Sequence, residues 1–358
     1  MATIDIPRNP HGDNPSVDPA QPGVPPADPA MLEALGQAKR ILVIKLGALG
    51  DMIIALGPFK AIREKHPDAH ITLMTTSAYA EIGRRCGLFD EILIDRRPNW
   101  HELGRWLTLR KELRNGQFDM VYDLQNNDRT SIYFRLFWPS RTPMWSGSAY
   151  NAVFPFEDPR PPSRHAFDRH RTQLAGVGID TIPLPDVSWM NTDISAFELP
   201  ERMALLVPGS APHRPEKRWP QQHYIALCDR LLKEGLTPVL LGTTSEGVIT
   251  NQISAAYPEA INLTGKTSLF DLAAIGRLAT VAIGNDTGPM HLIGAAGAPS
   301  IVLFSGSSSP YLSAPIGPSV TSLQEGNLER LSVDKVWKAV ISVLDPDAEA
   351  DTLAPLTP

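Results

Sequence analysis

Three short segments combine glycines with charged or hydroxyl side chains in patterns that suit anion binding. The first is Lys45-Leu46-Gly47-Ala48-Leu49-Gly50-Asp51. Gly47 and Gly50 allow a tight turn and bring bare backbone N–H groups close to a ligand. The spacing is not the dinucleotide GxGxxG pattern, and an aspartate opens the helix that follows. Asp51 is therefore either a helix cap or a working carboxylate. The second runs from Pro208-Gly209-Ser210 to Glu216-Lys217-Arg218-Trp219-Pro220. With His213 and Arg214 it offers a mobile ammonium, guanidinium forks and a small hydroxyl donor, a set that can surround a diphosphate. The alternative is a solvated loop with Trp219 packed on the next helix. The third is Gly284-Asn285-Asp286-Thr287-Gly288-Pro289-Met290-His291. Pro289 suits the first helical turn, and the N–H groups of Thr287 and Gly288 point forward, where a phosphate is favoured. Asp286 or Thr287 as an ordinary cap, and His291 as a packed core histidine, are the competing readings.

The elements that must hold these turns read as alternating strands and helices. Short β-branched runs at Ile41–Ile44, Ile71–Met74, Glu91–Ile94 and Met120–Tyr122 alternate with amphipathic stretches, including His101 to Arg114. The pattern restarts with strands at Ala204–Val207, Pro238–Leu241, Val281–Ile283 and Ser300–Phe304, and a last helix over Ser332–Leu344. Such alternation predicts parallel strands joined by crossover helices. The fold class is α/β, two Rossmann-like doubly wound domains with a cleft between them. Ligands of such sheets bind beyond the carboxyl ends of the strands, where all three turns fall. Expected boundaries are a disordered proline-rich head over 1–38, a first domain over 39–190, and a linker near Pro183–Pro200. A second domain follows over 200–330, then a last helix over 331–345 and a disordered tail over 346–358. Eight prolines in the first 29 residues leave little apolar surface to offset ordering entropy.

Length and composition exclude several classes. A chain of 358 residues, 42% hydrophobic and 20% charged, is a globular protein of about two domains. The longest mostly apolar stretch, Leu292–Phe304, is 13 residues and is broken by Gly294, Gly297 and Pro299. A bilayer span needs roughly 20. Two cysteines supply neither a disulfide framework nor a usual zinc site. No signal peptide is visible, so a cytoplasmic enzyme is the expectation. Net charge is −6, yet Lys39–Asp180 holds 21 basic residues against 16 acidic, and Thr181 to the end holds 11 against 18. The basic front half suggests an anionic partner there. Nucleic acid is not that partner, because the excess is modest and no binding motif appears.

The runs Ile41–Asp51, Lys217–Pro220 and Asn285–Leu292 together resemble glycosyltransferase family 9, the ADP-heptose:lipopolysaccharide heptosyltransferase group. Phe118–Gln125 with Arg129 is similar to a further block of that family, and the resemblance spans about Arg40 to Leu344. It implies a GT-B fold, with the acceptor on the first domain, the nucleotide sugar on the second, and a last helix crossing back to the first. It also implies inverting transfer of a sugar, heptose in the type members, from an ADP-sugar to a lipopolysaccharide core or related envelope glycan. No metal or cofactor is implied. Asp51 falls on the family's catalytic base and Lys217 on the cation facing the diphosphate. Ser210, Asp286, Thr287, Gly288 and His291 match the donor block. Glu246 is placed to accept from ribose hydroxyls and Thr267 to line an adenine pocket, although both also suit ordinary caps. Lys45, Gly47 and Gly50, with Arg96, Arg97 and Arg129, are the candidates facing an anionic glycolipid acceptor, and Arg135 and Arg141 add to the basic surface. Hydrophobic residues follow the catalytic aspartate, Met52-Ile53-Ile54-Ala55-Leu56, where core heptosyltransferases often carry polar ones.

Trp100, Leu103, Trp106, Leu107 and Leu113 interleave with Arg105, Arg110 and Lys111 at helical spacing, and Tyr133, Phe134, Phe137 and Trp138 extend the theme. This fits either an interfacial helix touching the inner membrane or the core side of a crossover helix. Two other functions use part of the same residues. A GT-B-like nucleotide-sugar epimerase or hydrolase accounts for the Lys217 and Asp286 turns but leaves Asp51 without a role. A non-catalytic nucleotide-sugar-binding protein is the other.

Overall fold

A computed structural model of the chain describes residues 28–139, 141–157 and 162–345. The expected tail and most of the expected head lie outside the described residues. The described residues divide into two compact units, 28–185 and 186–345.

The first unit is built on a six-stranded sheet: β1 (Arg40–Ile44), β2 (His70–Thr75), β3 (Glu91–Ile94), β4 (Met120–Asp123), β5 (Met144–Gly147) and β6 (Phe154–Pro155). Its order is β3-β2-β1-β4-β5-β6, and the pairings are parallel, with Ile41 beside both Ile71 and Met120. Ile41 to Ile44 are fully buried, as expected of a central strand covered on both faces. The second unit repeats the plan with β7 (Met203–Val207), β8 (Thr237–Leu240), β9 (Ile261–Asn262), β10 (Val281–Asn285), β11 (Ser300–Phe304) and β12 (Val320–Gln324). Its order is β12-β11-β10-β7-β8-β9. Counted by each unit's own strands, both sheets therefore run 3-2-1-4-5-6. In each, the first and fourth strands lie side by side at the centre, where the order reverses and a crevice opens.

Two sequence expectations are corrected. The head is not unstructured to residue 38, because Pro29–Gly36 is a helix. Asp28 caps it by accepting from the Ala30 N–H, Pro29 occupies the first turn, and Leu35 is fully buried. The unit boundary falls at Pro185/Asp186, so 186–199 belongs with the second sheet. Arg277 holds this segment through the Met190 carbonyl and Asn191 Oδ1, both at 2.7 Å. The proline-rich stretch after Pro139 carries β5, β6 and the helix Ala166–Ala175. The last helix, Val333–Leu344, packs within the second unit. Val336 and Val340 join Trp219, Leu227 and Leu231 in the core of the second unit.

Candidate active site

In the first unit the Lys45–Asp51 turn leaves the carboxyl end of β1 and is braced from three sides. The Leu46 N–H donates to Gln125 Oε1 at 2.8 Å, and the Leu46 carbonyl accepts from Arg97 Nη2 at 2.9 Å and Thr76 Oγ1 at 3.3 Å. Gly47 has φ +118°, a region open to glycine, and a Cβ there would run into the Tyr79 ring. Asp51 sits in the first turn of the helix Leu49–Ile54, partly exposed, with Oδ2 accepting from the Ala48 N–H at 3.1 Å. The capping geometry is therefore present. Oδ1 accepts no hydrogen bond among the described residues, so one carboxylate oxygen remains available for a proton.

Lys45 does not face outward as an acceptor contact. It is buried beneath the turn, with Nζ donating to the Leu124 carbonyl at 3.0 Å and 3.4 Å from His170 Nε2. Burial lowers its pKa, while the charges of Asp51 and Asp123 oppose that shift. Burial, with Lys45 nearby, also holds the His170 imidazole well below its ordinary value. Asp123, at the end of β4, is fully buried, and its carboxyl is pushed up to about 6 by burial. Its Oδ1 accepts from the N–H groups of Gln125 and Asn126, each at 3.1 Å. Burial likewise raises the Tyr79 hydroxyl; Arg97 opposes the shift and Asp51 adds to it.

The three candidate arginines gather at the carboxyl edge of this sheet. Arg96 is exposed after β3, and Arg97 follows with its N–H on Asp95 Oδ1 at 2.8 Å. Arg129, in the helix Asp128–Arg135, donates to the Pro98 carbonyl at 3.1 Å. Arg97 and Arg129 thus brace loops as well as presenting charge. Arg141 lies elsewhere, at the amino edge before β5.

The second unit assembles the other two turns at the centre of its sheet. Lys217 Nζ pairs with Asp286 Oδ2 at 2.6 Å, both side chains mostly buried. Asp286 follows β10, Thr287 holds the N-cap position of the helix Gly288–Ala295 with its hydroxyl donating to the Asn285 carbonyl at 3.1 Å rather than capping, and His291 is buried in the first turn. Ser210 Oγ donates to the Arg214 carbonyl at 2.9 Å and accepts from Arg218 Nε at 3.0 Å. Glu246 closes over the turn: Oε2 accepts from the Thr243 N–H at 2.6 Å, and a Cβ on Gly209 would strike its carboxylate. Thr267 is half-buried, and its hydroxyl makes no hydrogen bond among the described residues, so it is not tied into the cluster.

Several contributors escape sequence reasoning. Asn285, fully buried, accepts from the Trp219 N–H at 3.0 Å and donates to the Pro208 and Gly209 carbonyls at 2.8 and 3.1 Å. Gln125 and Asn285 therefore do the same service in the two sheets. The turn after β11, Ser305–Ser309, also joins the site, because Arg214 Nη2 donates to the Ser307 carbonyl at 3.2 Å. Its run of small hydroxyl residues before Pro310 was the available signal.

Two Rossmann-like units, with a carboxylate turn on one and a cation–helix cradle on the other, define a GT-B glycosyltransferase. The profile of glycosyltransferase family 9 (heptosyltransferase) matches residues 106–337, and the chain belongs to that family. It is 27% identical over 305 residues to lipopolysaccharide heptosyltransferase 2 of Escherichia coli, covering 77% of this chain and 85% of the relative. Two solved structures share the fold. One is the family 9 glycosyl transferase of Veillonella parvula, with TM-score 0.71 and 23% identity over 86% of this chain and 97% of that one. The other is ADP-heptose lps heptosyltransferase II of E. coli, with TM-score 0.69 and 21% identity over 86% and 99%. Among the described residues no helix is long and apolar enough to cross a membrane.

Proposed function

We propose that this enzyme transfers heptose, with inversion and without a metal, from ADP-heptose to a lipopolysaccharide core acceptor at the cytoplasmic face of the inner membrane. Inversion requires one displacement at the anomeric carbon. Asp51 Oδ1 takes the proton from the attacking acceptor hydroxyl as the new C–O bond forms, and ADP leaves from the opposite face. Lys217 and the N–H groups at Thr287, Gly288 and Ser210 answer the charge that grows on the diphosphate. Glu246 holds the ribose hydroxyls and Asp286 sets the lysine. Arg96, Arg97 and Arg129 face the phosphates and carboxylates of the acceptor.

The observation that carries this reading is the Lys217–Asp286 pair at the mouth of the helix Gly288–Ala295. It stations a mobile cation beside backbone N–H groups that otherwise lack a counter-charge. The Asp51 turn, with Oδ2 braced on the Ala48 N–H, supplies the base an acceptor hydroxyl needs, and the identity of the product separates transfer from epimerisation or hydrolysis. The test is ADP release with purified ADP-heptose and core acceptor, with and without EDTA, and NMR of the product anomer. A retained anomeric configuration, loss of activity in EDTA, or free heptose as the product each overturns the reading.

A further inference from the structure

The helix Leu103–Asn115 decides between the two readings of the tryptophan–leucine stripe by splitting it. Leu109 and Leu113 are buried in the core, and Trp106 lies partly covered with its ring 6.0 Å from Tyr133. Leu103 and Leu107, one turn apart, are 70% and 63% exposed, and Trp138, whose carbonyl accepts from Arg110 of the same helix, is 73% exposed. Leu107 also borders a groove of about 880 Å³ at the amino edge of the first sheet, the edge opposite the Asp51 turn. Six cationic side chains line it: Lys39, Arg40, Arg110, Lys111, Arg114 and Arg141.

The groove sets one acidic residue, Asp119, against these six, so its balance stays positive. Asp119 Oδ2 accepts from the backbone N–H groups of Lys39 and Arg40, both at 3.0 Å. Arg40 and Arg110 are anchored on the carbonyls of Gly116 and Trp138, at 2.5 and 2.8 Å. Carbonyls hold the guanidinium groups in place without cancelling their charge. Among the described residues, no carboxylate pairs with Lys39, Lys111 or Arg141. Six positive groups against one carboxylate make the groove cationic, which favours the entry of an anion. The exposed Leu107 on its border, and the exposed Trp138 on the segment that Arg110 holds, are at home in the acyl region of a bilayer, not in water.

The geometry points to a lipid-docking face: the groove takes the phosphate headgroups of an anionic bilayer while Leu103, Leu107 and Trp138 enter its acyl layer. This rests on the reading that the acceptor is membrane-borne. It adds where the protein touches the membrane. The helix lies along the surface, gripping headgroups at the amino edge of the sheet and bringing Arg96 and Arg97, at the other edge, toward the acceptor.

The test is co-sedimentation with vesicles of phosphatidylglycerol and phosphatidylcholine (3:7), against phosphatidylcholine alone. Each basic side chain near such a surface contributes about fivefold. Lys39→Glu/Lys111→Glu is therefore expected to weaken binding to the anionic vesicles at least ~20-fold, and Leu107→Ser/Trp138→Ser several-fold. Both pairs are exposed, and an unchanged melting midpoint checks the fold. Raised salt should release the wild type. Failure of the wild type to bind anionic vesicles, or equal binding by the charge-reversed variant, overturns the inference. Thermal stabilisation by pyrophosphate that the charge-reversed variant loses, without vesicle binding, also overturns it and assigns the groove to a soluble anion. A parallel transfer assay on a delipidated core acceptor, where wild type and variant should match, separates failure of this surface from failure of the transferase reading.

Discussion

Lys217 Nζ lies 2.6 Å from Asp286 Oδ2, immediately before the N-cap position of the helix Gly288–Ala295. The two side chains are 18% and 7% exposed, so removing one leaves the other largely desolvated and unpaired. Lys217→Ala is expected to cost about 2 kcal/mol of stability and to abolish most transfer. In urea denaturation, Lys217→Ala/Asp286→Ala should lose less than the two single losses combined. Strict additivity would show that the pair is incidental.

Asp51→Asn keeps an oxygen to accept from the Ala48 N–H, so the turn should hold its shape. It lacks the base. Turnover should fall by roughly 10²-fold or more while ADP-sugar affinity, measured by calorimetry, stays within about twofold. Turnover within threefold of wild type would remove Asp51 from the chemistry.

Gly209→Ala probes Glu246 without touching it. The added methyl meets the flexible end of the glutamate, so the side chain moves and the fold survives. The melting midpoint should change little while donor affinity drops about tenfold. A donor affinity equal to wild type would separate Glu246 from the ribose.

Asn285→Ala should be more damaging than its size suggests. It strips partners from the Trp219 N–H and the Pro208 and Gly209 carbonyls, at a cost of about 3 kcal/mol. Asn285→Asp keeps the acceptor but turns a carboxylate toward two carbonyls, and should lose at least as much. A smaller loss would mean that the turn does not depend on this amide.

Asp123 gives a pH signature. Its carboxyl is raised from 3.8 to about 6 in the folded protein, so the folded state keeps a proton that the unfolded state has released. The favourable contribution is full below pH 3.8 and is lost as pH rises through about 6. Asp123→Asn should remove that slope. The variant's stability relative to wild type should climb by up to about 3 kcal/mol between pH 4 and 6 and then level off. A flat difference across that window would place the ionised carboxylate in the folded state throughout.

Central strands were legible because continuous β-branched runs such as Ile41–Ile44 are what a strand buried on both faces requires. The three turns were legible because glycine, proline and charge cluster at strand ends. β6, only two residues long, left no periodic trace, and prolines masked the helix Ala166–Ala175. Lys45 was misjudged because a lysine ordinarily stays in water; here the Leu124 carbonyl and two nearby carboxylates let it be buried. Gln125 and Asn285 act across 79 and 66 residues of sequence, so no local pattern exposes them.

The two matching sheets differ in the polarity of their fastenings. In the first, Gln125 presents an oxygen and engages the Leu46 N–H, while Asp51 occupies the Ala48 N–H. In the second, the Asn285 amide group engages two carbonyls, and the N–H groups of Gly209 and Ser210 donate to no described residue. The same place in the two scaffolds is thus fastened through an N–H in one half and through carbonyls in the other, and in the second half the N–H groups beside the fastening stay outstretched. A loop tied down by its carbonyls keeps its amide hydrogens for a visitor's oxygens, so the amide that secures the fold at this point also sets the table for the guest.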